Sequence, residues 1–156
     1  MQEYQYEALN TQRNEIRILN LLPGKFDDRL SVILTRQELL PRANYSSGSS
    51  SSRLPPHYEA LSYVWGSQED KVQLSVRTAK IGEADALLKS PAATADFQCL
   101  YITRNLHRAL PFLRYEHEPR ELWIDAICVN QNDLVERSQQ VQRMADVYSL
   151  ASQVIV

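Results

Sequence analysis

Leu122-Trp123-Ile124-Asp125-Ala126-Ile127-Cys128-Val129-Asn130-Gln131 decides how this chain folds. The segment has the apolar density of a buried strand over 121–128, carries one acidic residue, and then breaks into a polar turn. Burying an ionised carboxylate among apolar neighbours costs several kcal/mol, roughly, unless donors surround it. Asp125, between Ile124 and Ala126, therefore needs hydrogen-bonding partners. Downstream, an amphipathic helix is expected over 132–150. Asp133 is its N-cap, Glu136 completes a capping box, and the apolar stripe is Leu134, Val141, Met144, Ala145, Tyr148 and Ala151. Strand, turn and helix form half of a strand–helix–strand unit. Asp125 falls near the carboxyl end of its strand, where open α/β sheets place their ligands.

Working outward, Gln153 to Val156 reads as the start of another buried strand. Before the central segment, Thr103 caps a helix running to about Tyr115 with Leu106, Ala109, Leu110 and Leu113 on one face. Pro111 interrupts that face and predicts a kink or an early stop. Tyr58 to Val64 reads as a strand stopped at Trp65-Gly66. Lys71–Val76 and Ala79–Ile81 suggest a short hairpin, and 83–97 a loose insertion broken at Ser90-Pro91. Near the start, Glu15–Leu22 and Leu30–Thr35 form a hairpin around Pro23-Gly24, with residues 1–14 flexible. Residues 42–56 make a serine-rich loop with little apolar surface to offset its ordering entropy. Both helices sit where crossovers between parallel strands belong. The fold class is α/β, a partly parallel sheet flanked by helices with an N-terminal β-hairpin added.

Composition narrows the function classes. The 156 residues suit one domain with a sizeable core, and 44% apolar with 23% charged content is that of a globular chain. The net charge of −2 leaves no basic face for nucleic acid or anionic membrane. No apolar run is long enough to span a bilayer, and the polar start Met1-Gln2-Glu3-Tyr4 is not a secretory signal, so the expected location is cytoplasmic. Cys99 and Cys128, with His57, His107 and His117, have no metal-ligand spacing, so neither a metal nor a cofactor is expected.

Two groups of residues carry whatever chemistry there is. Around the central strand end stand Asp125, Asn130, Gln131, Glu136 and Arg137, with Trp123 and Cys128 beside them. They read either as a polar pocket or as a strand terminus, a capping box and an ion pair, and caps and ion pairs are the commoner outcome. The second group is Glu59, Ser62, Tyr63, Trp65 and Gly66. Tyr63 and Trp65 offer flat surfaces to a ring and Gly66 permits close approach of a backbone; the competing account has Trp65 closing the core and Gly66 turning the chain. Cys128 has no histidine placed beside it and reads as a small core residue.

At these residues the chain resembles a known family. Tyr58-Glu59-Ala60-Leu61-Ser62-Tyr63-Val64-Trp65-Gly66 is similar to the opening signature of the fungal heterokaryon-incompatibility (HET) domain. Asn105-Leu106, Ala109-Leu110 and Leu113-Arg114 resemble its middle helix, and 122–131 its central motif. Glu136-Arg137, Gln140-Val141, Met144, Tyr148 and Ala151 continue the pattern in register, and Ile16-Arg17-Ile18-Leu19 resembles a strand that often precedes the domain. The resemblance runs over 15–156. It implies an effector module of fungal nonself recognition that promotes incompatibility and programmed cell death through self-association or an incompatibility partner. It also implies a distant flavodoxin- or TIR-like sheet, with strands at 58–64, 121–128 and 153–156 and helices between them. Some TIR domains cleave NAD, which makes NAD a substrate of an intact domain as the alternative reading. In those enzymes the catalytic glutamate lies on the helix after the third strand. The family pattern continues past Val156, so the resemblance implies a C-terminally truncated domain. No catalytic role passes to Glu136 or any other residue here, and an inactive truncated relative is the third reading.

Overall fold

The computed structural model describes residues 1–45, 56–80, 82–90 and 96–156. Most of the serine-rich loop and residues 91–95 of the expected insertion lie outside them. Seven strands form one mixed sheet: β1 (Glu15–Leu21), β2 (Ser31–Glu38), β3 (Glu59–Leu61), β4 (Lys71–Thr78), β5 (Gln98–Thr103), β6 (Arg120–Trp123) and β7 (Gln153–Ile155). Their order across the sheet is β5-β4-β2-β1-β6-β3-β7. The helices are α1 (Ala84–Lys89), α2 (Arg104–Leu113), α3 (Asp125–Cys128) and α4 (Leu134–Leu150).

The β1–β2 hairpin forms as the sequence predicts, with Leu19 opposite Leu34, but it is not an appendage. β1 also pairs antiparallel with β6, so it stands mid-sheet, and all but its first residue are buried. Beside it, β3 pairs parallel with both β6 and β7. These three strands stand in the order second, first, third along the chain, joined by the crossovers through α2 and α4.

Several expectations are corrected. The hairpin of 71–76 with 79–81 does not form among the described residues, which leave out residue 81. β4 runs parallel to β2 and antiparallel to β5, and the Ala79 N–H stays on β2 through the Leu34 carbonyl at 2.9 Å. β4's partner lies some twenty residues downstream, a non-local pairing that local alternation does not display. The 83–97 stretch contains α1, whose Leu87 is buried in a satellite cluster with Leu22, Ile33 and Ala79. β3 stops at Leu61 rather than Val64. Within the stretch expected to be flexible, Tyr4 is buried, and residues 2–4 bond the Cys99 backbone through Tyr4 N to Cys99 O and Cys99 N to Gln2 O, both at 2.8 Å.

The central segment also differs. β6 ends at Trp123, and Asp125–Cys128 is a helical turn, closed by Cys128 N to the Ile124 carbonyl at 2.7 Å. Turning out of the sheet gives the carboxylate a donor that a strand would not, since Asp125 Oδ1 accepts the Ala126 N–H at 2.8 Å. α2 is capped by Thr103, whose Oγ1 accepts the Leu106 N–H at 3.3 Å, and it stops at Leu113, two residues beyond Pro111.

α4 is capped by Asp133, which accepts from Val135 and Glu136 at 3.1 Å each. The capping box is not completed. Glu136 instead pairs with Arg17 of β1, at 2.5 and 3.1 Å, and accepts the Asn130 N–H at 2.8 Å. Arg17 also donates to the carbonyls of Cys128 at 3.0 Å and Glu7 at 2.6 Å, and lies 4.8 Å over the Tyr6 ring. A charge buried this deeply is held only with its bonds satisfied. That requirement turns α4 so that Glu136, Gln140, Val147 and Leu150 face inward. Leu134 (68% exposed) and Val141 (59%) of the expected stripe face outward, as does Ala145, while Met144, Tyr148 and Ala151 are partly buried. β7 forms where expected but is a largely exposed edge strand, not a buried one.

Candidate functional site

The carboxyl ends of β3 and β6 lie side by side, and both sequence groups meet there. From β3 the chain continues through Ser62, Tyr63 and Val64 to Trp65 and Gly66. Gly66 has φ +73°, and a Cβ on it would stand 3.0 Å from the Asn105 Cβ of α2. Asn105 Nδ2 donates to the Val64 carbonyl at 2.5 Å. A glycine is needed at this turn for both reasons, and the turn carries Trp65 over the end of β6.

Asp125 stands at that end. Burial holds its pKa above the ordinary aspartate range, outweighing the Ala126 N–H that donates to the carboxylate and the nearby Trp65 side chain that favours its charged form. Gln131 folds back, with Nε2 3.0 Å from the Asp125 carbonyl. Tyr63 is buried enough to push its phenol pKa upward, the Asp125 charge adding to the effect, and its hydroxyl has no hydrogen-bond partner among the described residues. Beside the rim is a small, partly open pocket lined in part by Trp65, Asn130 and Gln131.

Trp123 lies beneath the rim, fully buried, edge-to-face with Tyr148 at 5.6 Å, its Nε1 also without a partner among the described residues. Cys128 is fully buried with Sγ 3.5 Å from the Ile124 N, and burial pushes its thiol up to about 12, so it is no nucleophile at neutral pH. Ser62 is exposed and serves through its backbone, donating to the Ile155 carbonyl at 2.8 Å. Glu136 belongs to the buried ion pair, and Arg137 is exposed on α4, outside the cluster.

Glu59 lies at the opposite, amino end of β3. Arg120 clamps it at 2.5 and 3.1 Å, Gln153 donates to it as well, and its pKa is held below the usual glutamate range, first by the Arg120 bonds. This pair lines an open cleft of about 650 Å³, larger than the rim pocket but away from the strand ends where the two groups converge. Among the described residues no group of three or more His, Cys, Asp or Glu could hold a metal ion, and no helix is long and apolar enough to cross a membrane. Arg17, Asn105 and Arg120 organise these sites, although none of them belongs to the two groups of candidate residues. Arg17 carries a signal as a charge between Ile16 and Ile18 in an apolar strand, Asn105 opens the middle helix motif, and Arg120 carries none.

The residues converging here lie within a known family. The model of the heterokaryon incompatibility protein (HET) family matches residues 58–156. This chain belongs to the HET family. It is also similar to heterokaryon incompatibility protein 6, OR allele, of Neurospora crassa, with 34% identity over 154 residues. That alignment covers 98% of this HET chain and 20% of the relative, so the chain spans about a fifth of the length of the curated relative it matches. No solved structure matches it.

Proposed function

We propose that this chain acts as an effector module of fungal nonself recognition, promoting heterokaryon incompatibility and programmed cell death by self-association in the cytoplasm. One observation carries the reading. The HET match begins at Tyr58 and takes in every rim residue from Trp65 to Gln131, including the Gly66–Asn105 contact that joins two separate motifs. The rim is thus one assembled surface built from the segments that define the family. Inducible expression in fungal cells tests it. Growth arrest is expected, weakened by Trp65→Ala; a well-expressed, folded chain that leaves growth unchanged overturns the reading.

A second reading, cleavage of NAD by a longer form, draws on the rim's position. The strand order second, first, third is that of flavodoxin-like sheets, which bind ligands outside the carboxyl ends of their strands. Tyr63 and Trp65 would flank a ring, and Asp125 and Asn130 would bond a ribose. Following nicotinamide release from NAD decides it; no product at high protein concentration removes it.

A further inference from the structure

The rim pocket has a volume of about 130 Å³, and its lining includes Tyr6, Trp65, Lys71, Tyr101, Asn130 and Gln131. The space is partly open to solvent, so the edge of a flat ring system can enter it while the rest stays outside. Its aromatic walls are already fixed. The Tyr6 hydroxyl donates to the Ile127 carbonyl at 2.8 Å while Arg17 lies over its ring, Trp65 stands near the Asp125 carboxylate, and the Tyr101 hydroxyl accepts from Gln73 at 3.0 Å. Side chains held this way lose little freedom when a ligand enters.

Hydrogen-bond chemistry fixes which end of each carboxamide is spent. The Asp125 carbonyl can only accept, so the Gln131 group 3.0 Å from it is the amine, and Oε1 has no partner among the described residues. The Asn132 N–H can only donate, so the Asn130 atom 3.2 Å from it is Oδ1, and Nδ2 is the unclaimed end. Consecutive residues lining an aromatic pocket thus carry one spare acceptor and one spare donor. An adenine edge offers the complement, an exocyclic amine beside a ring nitrogen, and carboxamides are its usual partners.

We propose that this pocket binds the ring of a purine with the adenine pattern, Gln131 Oε1 accepting from the exocyclic amine and Asn130 Nδ2 donating to the ring nitrogen beside it. Lys71 is the cation available to a phosphate attached to such a ring. The inference shares the rim with the NAD reading but not its chemistry. Ring binding without nicotinamide release removes that reading and leaves this one standing. Growth arrest without purine binding does the reverse for the effector reading.

The chain's two tryptophans provide the test, because Trp65 lines the pocket and Trp123 is fully buried in the core. Tryptophan emission is followed while adenosine, AMP, inosine or uridine is added. Adenosine should quench saturably, and inosine, which carries a carbonyl in place of the amine, should need at least about tenfold more. The quench should vanish in Trp65→Phe. Asn130→Asp keeps the oxygen that accepts from Asn132 but has no donor to give, so it should also weaken adenosine binding about tenfold while thermal unfolding is unchanged. Tighter binding of AMP than adenosine identifies a nucleotide as the source of the ring; equal binding identifies a nucleoside or free base. Equal quenching by adenosine and inosine, an undiminished response in Asn130→Asp, or no saturable quench at millimolar adenosine overturns the proposal.

Discussion

Asp125 and Glu59 are carboxylates at opposite ends of adjacent parallel strands, and their surroundings drive them in opposite directions. Glu59 is saturated, with two bonds from Arg120 and one from Gln153, and its pKa falls. Asp125 has the Ala126 amide and the Trp65 indole, too little to offset its burial, and its pKa rises. A saturated carboxylate ties strands together and has nothing left to offer. An undersupplied one, beside an unpartnered Tyr63 hydroxyl and half-used carboxamides, is where a ligand gains most. The larger cleft therefore surrounds the saturated carboxylate, and the smaller pocket adjoins the undersupplied one.

Breaking the saturated end should have the largest effect. Arg120→Met leaves the Glu59 carboxylate with Gln153 but no cation and should cost about 3 kcal/mol in urea unfolding, much of it recovered in Glu59→Gln/Arg120→Met. Gly66→Ala should cost about 2 kcal/mol, because its φ of +73° strains any side chain and its Cβ would crowd Asn105. Growth arrest should fall with it, since the same turn positions Trp65. The smallest effect sharpens the comparison. Asp125→Asn should change neutral-pH stability by less than about 1 kcal/mol, in the stabilising direction.

The two carboxylates also predict pH dependences of opposite sign. Asp125 has a folded pKa above its unfolded one. Its burial penalty is absent in acid, where both states are protonated, and grows as pH rises through the ordinary aspartate range to the raised value. Asp125→Asn should therefore gain on wild type between acid and neutral pH. Glu59 has a folded pKa below its unfolded one, so its contribution is full above the ordinary glutamate range and lost as pH falls through the lowered value. Glu59→Gln should cost stability at neutral pH and progressively less in acid. Melts of both variants across that range check the signs, and parallel curves would break the comparison.

What the sequence made legible follows the range of the interaction. The Asp133 and Thr103 caps were readable because a cap reaches only two or three residues along the chain. The β1–β2 hairpin was readable because its two strands are consecutive in the chain and the Pro23-Gly24 turn signal lies between them. β5 escaped notice because its partner lies across a long connection, and α4 was rotated wrongly because Arg17, more than a hundred residues upstream, draws Glu136 inward against the apolar periodicity. The rim was half legible. Trp65, Asp125, Asn130 and Gln131 stood out as chemistry-bearing residues in two motifs, whereas Tyr6 and Tyr101, which complete the pocket walls, arrive from an N-terminal segment and a strand that no motif marked.

The two margins of the sheet are treated differently. β5 is shielded by residues 2–4, while β7, in Ser152-Gln153-Val154-Ile155-Val156, carries neither charge nor proline and leaves Val154 46% exposed. Uncharged β-branched margins recruit other chains into ladders. Concentrated solutions of this polypeptide should accordingly deposit thioflavin-positive material over time, and Val154→Lys should suppress it while leaving Trp65 emission as it was.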